Sequence, residues 1–337
     1  MKLRERRFYD NGVSTVVSAI LAITIVVSVV SAVLFYGIPY INKLTEKENL
    51  ENAENNFNAI IDEINDMLIS GGGDKNVIEI TSEEGSISMS SGDLDRTIVM
   101  YSYIDNLDFY VTGLDIENVD DTFNLNNYGS INNVNVYEID SEGKLNSVAS
   151  SFNAGEVKLN SGDFKYNMTI DLLDNSRPDP IVGKIWFFDS NPFEYEISIS
   201  EGTSKMFLEK GGIIYSKNNI NQIKKPINIY WDGTDDYFAI HVLQTVLDDN
   251  SFSTGNGFDS RISIENPYVS AREQAKNVHN VRLQFFGDHS DLWEEYIDNK
   301  YDDADINYNE VSDTLLVNQG SEVSFSFISS QVTLDMV

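Results

Sequence analysis

The sequence predicts an α+β fold, mainly β, in which one long N-terminal helix carries a large antiparallel β-sandwich-like head. Three observations carry that expectation. Residues 13–38 contain no charged side chain. From Leu50 to Leu68 the apolar residues recur at three- and four-residue steps, and beyond the glycines at 71–73 the chain breaks into short β-branched and aromatic stretches.

The uncharged run comes first. At about 1.5 Å per residue it spans roughly 39 Å, more than the roughly 30 Å hydrocarbon core of a membrane. A secretory signal has a shorter apolar region, of about 7–15 residues, followed by a small-residue cleavage site. Val30-Ser31-Ala32 fits that rule loosely, but Val33 to Tyr36 continue the apolar run. A core helix would show a polar stripe, whereas the polar residues here are small ones such as Ser18, Thr24 and Ser28. The reading is therefore a transmembrane helix over residues 13–41. Lys2, Arg4, Arg6 and Arg7 precede it, and only Lys43 and Lys47 follow closely. Basic residues favour the cytoplasmic side, so the N-terminus is expected inside and the rest extracytoplasmic.

Gly37 and Pro39 should kink the helix, because proline lacks an amide donor and clashes with the preceding turn. An amphipathic stem over residues 42–70 then places Leu50, Ala53, Phe57, Ile60, Ile61, Ile64, Met67 and Leu68 on one face. That face needs a partner. Gly71-Gly72-Gly73 ends the helix. Residues 71–337 read as the head, with a division into two subdomains near residue 200 left open. "NVIEIT", "TIVMYSY", "NVNVYEI", "FKYNMTIDL", "KIWFF", "YEISIS", "FAIHVLQTVL", "SRISIE", "NVRLQFF" and "EVSFSFISSQVTLDMV" are expected strands, separated by connectors such as "DNSRPDP". One later helix is expected in "DHSDLWEEYIDNKY", with Leu292, Trp293, Tyr296 and Ile297 on one face.

Charge narrows the function classes. The chain has 54 acidic against 23 basic residues, a formal charge of −31. Such a surface repels phosphate backbones, so no nucleic-acid partner is expected. The absence of cysteine rules out disulfides, thiolate metal sites and cysteine nucleophiles.

The search for chemistry yields no catalytic residue, cofactor or metal ligand, and the protein is not expected to be an enzyme. His241, His279 and His289 form no zinc-binding spacing and read as structural or solvated. No Gly-x-Ser-x-Gly elbow or phosphate loop is present. Asp303, Asp305, Asn307 and Asn309 alternate like the start of a calcium loop, but Tyr308 and Thr314 stand where glycine and glutamate belong. Asp232, Asp235 and Asp236 read as a solvated turn, and weak divalent-cation binding at these acidic loops stays open. Asn167-Met168-Thr169 is a glycosylation sequon inside "FKYNMTIDL", whose alternation puts Asn167 on the polar face.

A charged leader ending in Gly12, followed by "VSTVVSAILAITIVV" and an unbroken helix, resembles the class III signal segment of archaeal type IV pilin-like surface proteins. The resemblance implies a leader over residues 1–12, removed by a prepilin peptidase between Gly12 and Val13. It also implies a hydrophobic helix that stays in membrane lipid or packs with other pilin-like subunits. Val17 stands where bacterial pilins carry an acidic residue. "KMFLEKGGIIYSKNN", "INIYWDGTDDYFAIHVLQTV" and "HSDLWEEYID" are similar in order to segments of large archaeal surface proteins sharing that N-terminus. The expected function is a pilin-like structural protein at the cell surface, membrane-anchored or a minor filament component. The alternative is a signal-anchored adhesion or ligand-binding protein that does not polymerise.

Overall fold

A computed structural model describes residues 7–70, 75–82, 84–90, 94–113, 122–126, 129–140, 143–159, 167–199, 202–247, 251–255, 257–301, 306–317 and 321–337. One helix runs from Arg7 to Ser70, and Val33–Gly37 form a π-helical turn within it. The turn answers the proline. Pro39 has no amide hydrogen to offer the carbonyl four residues back, and one wider turn lets Ile38 donate to the Val33 carbonyl instead. The expected interruption is thus a local widening, and the helix continues through it.

No side chain between residues 15 and 45 is buried. Beyond that point the stem seals Ala53, Phe57, Ile60, Ile61, Ile64 and Met67 against the head, with Leu50 and Leu68 packed at the margin. The apolar face read from the sequence is the face that is covered.

Among the described residues the head contains sheets of twelve, six and four strands. The large sheet is the middle layer. Its strand Asp95–Ser102 is buried at every position. Ile98 and Met100 point to the core shared with the four-stranded sheet, and Val99 and Tyr101 point to the opposite core. The six-stranded sheet and the Trp293 helix cover that opposite side, and the stem lies across the seam between the large and six-stranded sheets.

Two features depart from the expected strand pattern. "SRISIE" and "NVRLQFF" belong to a single strand, Phe258–Phe286, whose register shifts between Glu265 and Tyr268, Val269 and Ala271, and Ala275 and Val278. The first shift spans Pro267, which cannot donate to a ladder, so the strand bulges there and continues. Strand Tyr237–Leu247 pairs in parallel with Val323–Met336, from Tyr237 opposite Ser324 to Leu247 opposite Leu334. The remaining ladders are antiparallel. The conceivable division near residue 200 falls between two paired strands, Phe193–Ile199 and Gly202–Glu209. The large sheet joins strands from before and after it.

Candidate functional site

The stem–head seam collects the polar contacts that fix the head on its helix. Glu46 is buried one turn beyond the uncovered span, and its Oε1 accepts from Ser204 Oγ and Lys217 Nζ, each at 2.5 Å. Burial alone would raise the Glu46 carboxyl, but the Lys217 and Ser204 donors hold it below the ordinary glutamate value. Farther along, Lys225 Nζ donates to Asn58 Oδ1 at 3.0 Å, Asn56 Nδ2 to the Thr81 carbonyl at 3.3 Å, and Asn76 Nδ2 to Glu63. Two grooves flank the stem. One of about 470 Å³ is lined by Lys43, Glu46, Lys47 and Tyr215 among others. The other, of about 430 Å³, is lined in part by Asn65, Lys210, Lys225, His241 and Lys300.

Behind the second groove lies a cluster of buried ionisable side chains. Arg96 makes a two-pronged contact with Asp189, Nε to Oδ1 at 2.5 Å and Nη2 to Oδ2 at 2.7 Å. Both guanidinium and carboxylate are sealed from solvent, so the geometry compensates their lost hydration. Lys210 Nζ stands 3.1 Å from Asp95 Oδ2. Glu209 accepts from Trp293 Nε1 at 3.3 Å and lies 2.6 Å from His289 Nδ1. Burial alone would raise Glu209 and lower His289, but each holds the other charged: Glu209 sits below and His289 above its ordinary value. Burial drives Asp95 up to about 7 despite Lys210, with Glu209 adding to the rise. It drives Glu294 up to about 8, with Asp313 adding to the rise.

Two glycines make room for this cluster. A Cβ at Gly212 would lie 2.4 Å from Trp293 Cη2, and one at Gly287 would lie 1.8 Å from Asp95 Oδ1. Gly287 also holds a φ of 121°, which side-chain-bearing residues rarely adopt.

The structure sorts the residues singled out from sequence. Gly12 and Val13 lie within the helical backbone of Arg7–Ala32. Asn167 is a correction: it is 1% exposed, its Nδ2 donates to Gln331 Oε1 at 2.5 Å and its Oδ1 accepts from Gln244 Nε2 at 2.7 Å. Alternation failed there because this strand is covered on both faces, Thr169 being buried as well. The folded head does not present Asn167 to a glycan. Asp303 and Asp305 lie outside the described residues; Asn307 and Asn309 belong to strand Ile306–Asn309, and Asn309 Oδ1 accepts from the amides of Val311 and Ser312. Asp232 Oδ1 accepts the Thr234 amide in the turn between strands Asn228–Asp232 and Tyr237–Leu247, as expected of a turn. Among the described residues no three His, Asp or Glu side chains converge as a metal site.

His241 is half-buried in a strand, 2.9 Å from Ser330 Oγ, and burial lowers its pKa. His279 is buried with Asp105 and Glu322 at 3.9 and 4.0 Å.

No family model, curated protein or solved structure matches this chain.

The buried cluster was missed by sequence reading. Its members come from Asp95, Asp189, Glu209 and His289, far apart in the chain, and in an acidic sequence each looks like one more surface charge. One signal was present: "LEKGG" puts two charged residues at the end of an apolar strand, directly before the glycines of a tight turn.

Proposed function

We propose that this chain is a pilin-like structural protein of the cell surface, anchored in membrane lipid by residues 13–41 and displaying its β-rich head on the stem. The observation that carries the reading is the unbroken helix, which is apolar and uncovered over one half and sealed beneath the head over the other. A head held along six buried stem residues and the Glu46–Lys217 pair cannot swing freely about the anchor, so the unit is suited to transmit position or force from the membrane outward. The basic leader sets the N-terminus inside. A prepilin peptidase cutting between Gly12 and Val13 would leave the apolar helix at the mature terminus, available to lipid or to neighbouring pilin-like subunits. No chemistry is assigned to the head.

The test is the mature N-terminus. Mass spectrometry of the protein from its native envelope should give Val13 as the first residue, and Gly12→Leu should leave the leader attached. A mature terminus at Met1 or Val33 would remove the pilin-like reading. Protease added outside intact cells, with the envelope opened, should degrade the head; protection would reverse the orientation.

A second reading has one observation in its favour. The groove beside the stem brings Lys225 and Lys300 together on an otherwise acidic protein, which suits display of a site for a small anionic ligand.

A further inference from the structure

Asp95 opens the central strand of the large sheet, and Lys210 sits in the turn between strands Gly202–Glu209 and Gly212–Lys217 of the six-stranded sheet. A lysine in a hairpin turn ordinarily extends into water. Lys210 instead is 2% exposed, held with a φ of 54° and followed by Gly211 at 85°. Positive φ at both residues is what the two-residue turn closing Glu209 onto Gly212 requires, so the hairpin itself fixes the Lys210 backbone. Here the Lys210 carbonyl also accepts the Leu243 amide at 3.3 Å.

The neighbouring pair shows what a satisfied buried ion pair looks like in this head. Arg96 and Asp189 are joined by two aligned hydrogen bonds. Lys210 Nζ and Asp95 Oδ2 are equally sealed and 3.1 Å apart, yet neither atom has an aligned hydrogen-bond partner among the described residues. An ammonium and a carboxylate stripped of water without hydrogen bonds form a costly arrangement. A lysine nitrogen held against a carboxyl group in a sealed site is the reactant pair for an amide, whose formation relieves that cost.

We propose that Lys210 and Asp95 are joined by an intramolecular isopeptide bond. The Lys210 nitrogen attacks Asp95 Cγ, a carbon–nitrogen bond forms, and the carbon–oxygen bond to the acid hydroxyl breaks. That hydroxyl leaves as water with one amine hydrogen, so the reaction needs no oxidant, reductant or activated co-reactant. With a carbon–oxygen bond of about 1.2 Å, Cγ lies within about 4.3 Å of Nζ before either side chain adjusts. Holding the two groups at this range replaces a bimolecular encounter, which is where most of the acceleration would come from. Burial favours the protonated form of Asp95, and the nearby Glu209 carboxylate adds to that rise.

The product removes two buried charges and leaves a neutral amide. It also places a covalent strap between the six-stranded sheet, on which the stem rests, and the central strand of the large sheet. A chain without cysteine has no disulfide to serve that purpose. The inference goes beyond the proposed anchoring and does not depend on it.

The test is the intact mass of the full chain purified in detergent, with the terminus read from its own peptide. The expected mass is lighter than the sequence by one water, and digestion should yield a branched peptide containing both Asp95 and Lys210. Asp95→Asn should form the same link with loss of ammonia instead of water, which separates the reaction from dehydration elsewhere. Lys210→Met should restore the full mass. If that variant fails to fold, the wild-type mass and the Asp95→Asn mass still decide. A full-length mass for the folded wild type, or a lost water with the Asp95 and Lys210 peptides recovered unlinked, overturns the proposal.

Discussion

Ile20, Ile23 and Val27 in the anchor and Phe57, Ile60 and Ile64 in the stem are similar residues on one continuous helix, yet the first three are more than half exposed and the last three are sealed. The backbone does not distinguish them. What differs is the pattern around them: the anchor is apolar on every side, while the stem alternates its apolar stripe with Glu, Asn and Asp. A helix apolar all round is satisfied by an apolar solvent, and one with a single stripe is satisfied by a protein surface. The two halves therefore meet different surroundings: one is uncovered and long and apolar enough to cross a membrane, and the other folds beneath the head.

That division can be broken most severely at the stem. Ile64→Asp should destabilise the head by more than about 4 kcal/mol, because an unpaired carboxylate would be driven into a sealed apolar site. Ile23→Ala in the anchor should leave the denaturation midpoint of the head unchanged. Urea titration of both variants in detergent, followed by tryptophan fluorescence, compares them directly. Equal effects would show that the two halves are one folding unit.

A second contrast, between buried charges and buried apolar groups in the head, is sharpened by Arg96→Met. It removes the two-pronged guanidinium contact from the buried Asp189 carboxylate and should cost about 3–5 kcal/mol by the same titration. Asn167→Ala removes two neutral hydrogen bonds from the same interior and should cost about 1–3 kcal/mol, and the Asn167 peptide of the native protein should carry no glycan. Glu46→Gln keeps the shape of the seam and loses only the charge. It should cost about 1 kcal/mol, with the loss confined to the membrane-proximal end by hydrogen exchange.

The most graded test is pH. Glu294 is pushed up to about 8 by burial, so between its ordinary value near 4.3 and that point the folded protein holds a proton that the unfolded chain has lost. Stability should therefore fall as pH rises through this window. His289 acts in the same direction, since its raised value gives a contribution that fades as pH climbs past it. Glu209, held low, acts oppositely and only toward acid, its contribution fading as pH drops below the ordinary glutamate value. Urea midpoints should decline from pH 5 to pH 9, and Glu294→Gln should flatten the slope.

The legible parts of the fold were those governed by local periodicity. The span is one unbroken apolar run, the stem face and the Trp293 helix repeat every three or four residues, and the strands at 133–139 and 237–247 fall where β-branched runs placed them. The strand Phe258–Phe286 contains both "SRISIE" and "NVRLQFF", expected as separate strands, because a bulge absorbs Pro267 between them. Asn167 failed for another reason. Alternation locates two faces of a strand but does not say that one of them meets water, and here both meet protein.

The sequence by itself determined that an apolar helix becomes an amphipathic one, that the remainder is mostly strand, and that no cysteine stabilises it. These properties follow from hydrophobic period and composition, which act within a few residues of one another. Only the tertiary structure decided that Tyr237–Leu247 lies parallel to Val323–Met336, that Glu46 is clasped by Ser204 and Lys217, and that Asp95 faces Lys210 in a dry interior. Those contacts join residues scores of positions apart. A charged side chain carries no local signature of whether folding will leave it in water or remove it, because its environment is set by sheets that close around it from elsewhere in the chain.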